Sequence, residues 1–256
     1  MVDIVIVASA FGTDAVRRDG HRAFIDATAE AGAAGFEVRR ELFASDDDAS
    51  PRALAHLGDA IAAAGLWSVY STPETLYADD GTLNRQAVAA TLDAAGALGA
   101  RFVKFQLGAF ACRPQAAPLA GLLERAPAGM RVLVENGQLR QGGALAQFVS
   151  LFAALRDERM PALVGMTFDI GNWLWAGEAP LDAARALASH VEYVHCKAVG
   201  GTGARRFAVA PPVHDRLCVD VLALLPAAAP RGIEFALDAA RLADDAATRV
   251  AWLAAA

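Results

Sequence analysis

The sequence predicts a single (β/α)₈ barrel. Short apolar runs alternate with longer Ala- and Leu-rich stretches of helical period. Eight such pairs can be counted, and the chain is 256 residues long. Alternating strands and helices imply parallel strands joined by crossovers, and eight units in about 250 residues match the size of a closed barrel.

The strands are expected at residues 3–9, 36–42, 66–71, 101–107, 131–135, 164–169, 191–197 and 232–236. Between and after them, helical period marks 13–32, 51–65, 84–99, 115–125, 143–156, 181–189, 214–225 and 244–254. Gly32, Gly65 and Gly99 stand where left-handed helix caps belong. The rival architecture is an open doubly wound sheet, which would carry a Gly-rich phosphate loop after its first strand. Here Ala10-Phe11-Gly12-Thr13-Asp14 follows instead. The least regular stretch, 199–212, reads as a long loop after strand seven, and such loops overlie active sites in barrels.

With 55 % hydrophobic and 20 % charged residues, the chain can bury a large core and remain soluble. A net charge of −6 argues against a nucleic-acid surface. Cys112, Cys196 and Cys218 are widely spaced, against both a disulfide framework and a structural zinc site, so a reducing cytoplasm is the expected compartment. The N-terminal β-branched run lacks the basic start and cleavage site of a signal peptide. No apolar run approaches the roughly 20 residues of a bilayer span. A homo-oligomer is compatible with all of this.

The chemistry lies where the later strands end. Strand five ends in Glu135, strand six in Asp169 and strand seven in His195, and strand eight offers Glu234 or Asp238. From Glu135 to Asp169, His195 and Glu234 the steps are 34, 26 and 39 residues, each about one βα unit, so each strand delivers one polar group to the same rim. Carboxylates brought this close repel one another unless a cation lies between them. Together with an imidazole they suit one divalent ion: Mn²⁺, Mg²⁺, Zn²⁺ or Co²⁺. One such residue alone would be an ordinary solvated loop group; the succession of four carries the argument.

Val-Glu-Asn at 134–136, Phe-Asp-Ile-Gly-Asn at 168–172 and Val-His-Cys-Lys at 194–197 resemble the xylose isomerase-like superfamily of barrels, the sugar phosphate isomerases and epimerases. The resemblance follows strand order over nearly the whole chain and is most specific over 131–238. It implies that Glu135, Asp169, His195 and Glu234 hold a single catalytic metal, with Glu234 preferred to Asp238. It also implies that Glu135 and Glu234 form the acid/base pair of an isomerase or epimerase acting on a small sugar-like substrate through an enediolate. An inosose-type dehydratase and a non-catalytic sugar-binding barrel are the alternatives. An endonuclease of this superfamily would need many more histidines than the five present, and a basic face. The sequence departs from the epimerases at Asn172, where they often carry a His.

Other residues are expected to line the mouth and bind substrate: Glu41 after strand two, Tyr70 at the end of strand three, Lys104 and Gln106 on one face of strand four, and Lys197 on the face of His195. Lys104 and Lys197 have structural ion pairing as the competing role. Trp173 and Trp175 offer either an apolar wall for a sugar or packing for their own loop. Arg205 and Arg206 offer either an anion contact or a solvated loop. His21, His56 and His190 read as ordinary helix or loop residues, and His214 lies near the mouth.

Overall fold

β-Branched and aromatic residues populate the short apolar runs, and these runs form the strands of a closed parallel barrel. The computed structural model describes residues 2–110, 116–203, 205–212 and 215–256. The strands are β1 (Ile4–Val7), β2 (Gly35–Arg39), β3 (Trp67–Tyr77), β4 (Phe102–Gly108), β5 (Arg131–Glu135), β6 (Gly165–Asp169), β7 (Val191–Cys196), β8 (Ala198–Gly200), β9 (Phe207–Val209) and β10 (Arg231–Ile233). The barrel order is β1-β10-β7-β6-β5-β4-β3-β2, with β10 as its eighth strand, while β8 and β9 form a separate antiparallel pair. The chain is thus the single-domain (β/α)₈ barrel that the sequence predicts.

The pleat sorts the side chains. Ile6, Phe36, Val38, Tyr70, Val103, Phe105, Val134, Phe168 and Val194 point outward into the large core between sheet and helices. Their neighbours point inward. Val5, Val69, Phe102, Leu133 and Tyr193 form an apolar plug inside the barrel. Each large buried side chain contributes about 1.5–3 kcal/mol. Further along the same inward rows come the polar residues Glu37, Lys104, Gln106, Glu135, Thr167, Asp169 and His195, in register across neighbouring strands. Gly232 makes room for them, since a Cβ there would lie 2.5 Å from the Tyr193 hydroxyl and 2.8 Å from the His195 ring.

Several expected boundaries differ: strand one stops at Val7, and strand eight stops at Ile233, which leaves Glu234 just beyond it. The 13–32 helix is broken at Gly20 (φ +77°) into Thr13–Asp19, a 3₁₀ turn at His21–Phe24 and Ile25–Glu30. Strand three continues to Tyr77 because Pro73, which cannot donate to a ladder, falls inside the register shift between Ser71 and Thr75. Strand two stops at Arg39, so Glu41 lies in a 3₁₀ turn beyond it. The 199–212 stretch holds most of the β8–β9 hairpin, pinned to the helix Ile170–Ala176 by Arg206 donating to the Leu174 carbonyl at 3.2 Å. Gly32, Gly65 and Gly99 take positive φ as expected. Cys112 and His214 lie outside the described residues. Among the described residues no helix is long and apolar enough to cross a membrane.

The break at Gly20 turns His21 inward, where it is buried. Its Nε2 accepts the backbone N–H of Arg39 at 3.2 Å, and its ring packs on Phe43 with centroids 4.4 Å apart. Burial pulls its pKa from 6.5 down to about 4. A base held neutral by folding gives its full stability above the unfolded pKa and loses it as pH falls toward the folded one. Between pH 7.5 and 4.5 this group should cost the native state roughly 2–3 kcal/mol. Denaturant unfolding of wild type and His21→Gln at both values should show that extra loss in the wild type alone; parallel pH dependences would contradict it.

Candidate metal centre

The site begins one layer above the apolar plug, with Glu37. This fully buried carboxylate on β2 receives the Tyr193 hydroxyl at 2.9 Å, lies 2.8 Å from His195 Nε2 and lies 3.0 Å from Lys104 Nζ. Burial alone would raise its pKa, but Lys104 and His195 hold it well below the usual carboxylate range. An ionised Glu37 accepts a hydrogen bond from Nε2–H, so in the neutral imidazole that a metal ion binds Nδ1 is the lone-pair nitrogen.

His195 Nδ1 then points at negative charge. It lies 2.9 Å from Glu135 Oε1, 2.9 Å from Glu234 Oε2 and 3.7 Å from Asp169 Oδ2. None of these is aligned as a hydrogen bond, so the buried Nδ1 has no hydrogen-bonding partner, while the buried Asp169 Oδ2 is ion-paired with Lys197 Nζ at 2.6 Å.

Asp169 is placed by both flanks. It ends β6 and caps the helix Ile170–Ala176, Oδ1 accepting the Asn172 N–H at 2.9 Å. The Asn136 side chain clamps its backbone, donating to the Asp169 carbonyl at 2.9 Å and accepting its N–H at 2.8 Å. Oδ2 is left facing the barrel axis. Glu234, just past β10, commits Oε1 to Arg39 at 2.7 Å. Glu135 commits Oε2 to Gln106 at 2.8 Å and Oε1 to Lys104 at 2.9 Å.

One ligand atom from each of Glu135, Asp169, His195 and Glu234 falls within 4.8 Å of the others. Ligands on opposite sides of a divalent ion with bonds of about 2.0–2.2 Å stand roughly 4–4.4 Å apart. The donor set, its spacing and the unpartnered Nδ1 therefore fit one such ion.

The electrostatics are those of crowded carboxylates. Burial would raise Glu135, but Lys104 and His195 bring it down to about 2. Asp169 is raised, by burial and by Glu234 and Glu135, against the pull of Lys197. His195, which burial and Lys104 would lower, is raised well above its ordinary value by Glu37, Glu234 and Glu135.

The sequence matches the xylose isomerase-like TIM barrel family over residues 25–243. The chain belongs to that family. No curated protein matches it significantly. Among solved structures it is similar to an L-ribulose 3-epimerase, at 20 % identity and TM-score 0.66 over 100 % of this chain and 99 % of the other. A D-psicose 3-epimerase crystallised with D-fructose gives 14 % and 0.66 over 98 % of each chain. A probable 3-DHS dehydratase from Bacillus anthracis gives 13 % and 0.62, again over 98 % of each. At these identities the likeness is one of fold.

Of the other residues expected at the mouth of this family barrel, only some reach it. A cleft of about 350 Å³ opens above the centre, lined by Arg39, Gln106, Glu135, Asn172, Lys197 and Glu234 among others. Gln106, Asn172 and Lys197 thus line the cleft. Asn172 donates to the Asn136 carbonyl at 2.8 Å, while its own Oδ1 is buried without a donor.

Lys104 is not placed for substrate. Wholly buried beneath the carboxylates, it bridges Glu37 and Glu135, which is the ion-pairing role. Tyr70 points outward because its neighbour Val69 takes the inward position, and Thr75 supplies the strand-three contribution to the cleft. Trp173 is buried against Phe148 and Phe168 on the inner face of its helix, so it packs the loop and forms no sugar wall. Glu41 braces Arg39 from outside the cleft at 2.8 Å. Arg205 is exposed on the hairpin. Asp238 caps a 3₁₀ turn by accepting the Ala240 N–H at 3.0 Å, so Glu234 is the strand-eight carboxylate at the centre.

Sequence reasoning missed Glu37 and Arg39. The signal was present in Phe36-Glu37-Val38-Arg39, whose alternation puts both charges on the inward face.

Replacing Glu37 breaks a buried ion network from one side, which costs about 3–5 kcal/mol. Glu37→Gln should lose stability on that scale in denaturant unfolding; a loss below roughly 1 kcal/mol would mean that Glu37 does not anchor His195 and Lys104.

Proposed function

We propose that this chain is a divalent-metal-dependent isomerase or epimerase of a small sugar or keto-polyol. In this reading Glu135, Asp169, His195 and Glu234 hold one Mn²⁺, Mg²⁺, Zn²⁺ or Co²⁺ ion. The observation that carries it is the buried His195 Nδ1, without a hydrogen-bonding partner and set among Glu135, Asp169 and Glu234 beneath an open polar cleft. The epimerases among the solved structures of similar fold support it.

When bound, the ion would polarise a substrate carbonyl and its neighbouring hydroxyl and so acidify the C–H between them. Glu135, held ionised at neutral pH by Lys104 and His195, takes that proton. Glu234 stands three strands away round the barrel and approaches the substrate from another side; held ionised by Lys197, His195 and Arg39, it takes up a proton from solvent and passes that proton to the substrate. Gln106 steadies the Glu135 carboxylate, and Arg39 steadies that of Glu234. Asn172 Oδ1 is free to accept a substrate hydroxyl.

Dehydration is the second reading. The Lys197 ammonium beside Glu234 favours it, because a donor at that point can protonate a leaving hydroxyl after the same C–H is broken.

Asp169→Ala and His195→Ala should each lose most of the bound metal, measured by elemental analysis, while circular dichroism stays native. Full occupancy in both would remove the ligand assignment. Glu135→Gln should slow solvent-deuterium exchange at the carbon next to the carbonyl of a ketose by roughly 10²–10⁴-fold. Exchange at the wild-type rate would deny Glu135 the proton transfer. The same assay separates the two reactions, since dehydration yields a product lighter by one water.

A further inference from the structure

Lys197 lies where an ion would have to be. Its Nζ is 2.6 Å from Asp169 Oδ2 and 2.6 Å from Glu234 Oε2. These are the two oxygens left over at the centre: the other oxygen of Asp169 caps the helix through Asn172, and the other oxygen of Glu234 is taken by Arg39. The lysine side chain is 3 % exposed. Its stem lies flat across Gly171, where a Cβ would come within 2.7 Å of Cγ and 3.1 Å of Cε. The absence of a side chain there directs the ammonium back toward the carboxylates instead of out to solvent.

We propose that Lys197 is a built-in competitor of the divalent ion. Its ammonium and the ion claim the same two carboxylate oxygens, and an ion that binds moves the ammonium into the substrate cleft. This rests on the metal site proposed above.

An ammonium with a positive charge buried in protein needs acceptors. Within the carboxylate cluster it has them, and it offsets repulsion that would otherwise destabilise the folded chain. Once an ion holds Asp169 Oδ2 and Glu234 Oε2, the ammonium loses both partners. Two acceptors are then open to it in the cleft. One is Asn172 Oδ1, which lines the same cleft and has no donor of its own. The other is an oxygen of the substrate, and above all one that becomes negative when the neighbouring proton leaves. Lys197 thereby links the two binding events. The ion makes the ammonium available to substrate, and by linkage a substrate that engages the ammonium tightens the ion.

The test is Mn²⁺ titration of the full chain, wild type against Lys197→Met, by calorimetry, with thermal melting of each protein before and after Mn²⁺. Removing a competitor should tighten Mn²⁺ by roughly ten-fold or more and lower the melting temperature of the metal-stripped variant. Mn²⁺ should then raise that temperature further in the variant than in the wild type. A lysine with only a structural role would give the opposite sign, a variant that binds Mn²⁺ more weakly. Lys197→Gln, shorter and polar, repeats the experiment should the methionine variant fail to fold. Wild type that binds Mn²⁺ while neither variant binds it more tightly overturns the competition alone. Failure of all three proteins to bind Mn²⁺ overturns the metal site and this inference with it.

Discussion

Four carboxylates meet one imidazole inside a barrel whose floor is apolar, and the structure around them is arranged to offset that crowding of charge. Glu37, Glu135, Asp169 and Glu234 are drawn toward His195 from four strands or strand ends. In a low-dielectric interior such a group survives only if cations and hydrogen bonds answer each charge. Lys104 answers from beneath, Lys197 from the side and Arg39 from the rim, the last shared with Glu41. What remains without a hydrogen-bonding partner is one ring nitrogen, His195 Nδ1, set among three of the carboxylates.

The barrel achieves this by layering. Inward residues advance from apolar, at Val69, Phe102 and Leu133, to ion-paired, at Glu37 and Lys104, to ligand-like, at Glu135, Asp169 and His195. Each layer supports the next. Tyr193 rises from the plug to hold Glu37, Glu37 sets the His195 tautomer, and Asn136 fixes the backbone from which Asp169 projects. The cleft opens onto Glu135, Glu234 and Lys197, so whatever enters meets these before the buried His195 and Asp169. The same support makes the site sensitive to residues that never touch a ligand.

Most of the fold was legible in the sequence because strand and helix periods differ and alternate eight times. The centre was legible for a related reason: strands five to eight each end in a ligand-type residue at one-unit spacing. What escaped depends on the parity and end-point of single strands. The sequence pattern extends strand two to Leu42 and so points to Glu41; the strand stops at Arg39, and the inward carboxylate is Glu37, hidden between two apolar neighbours. Strand three was read to Ser71, which made Tyr70 a rim residue; it runs on through a bulge, and Tyr70 faces the helices. Lys104 was assigned the correct face, but period-two alternation says nothing about depth along the barrel axis. Trp173 follows Asp169 in a helix, and helical period turns it into the core.

The most direct test of this account is anomalous diffraction from crystals of the protein loaded with Mn²⁺. The account predicts one dominant peak, roughly 2.0–2.3 Å from an atom of each of Glu135, Asp169, His195 and Glu234, with the Lys197 ammonium moved off Asp169. A site without such a peak, with the Lys197 ammonium still on Asp169 Oδ2 and Glu234 Oε2, would contradict it.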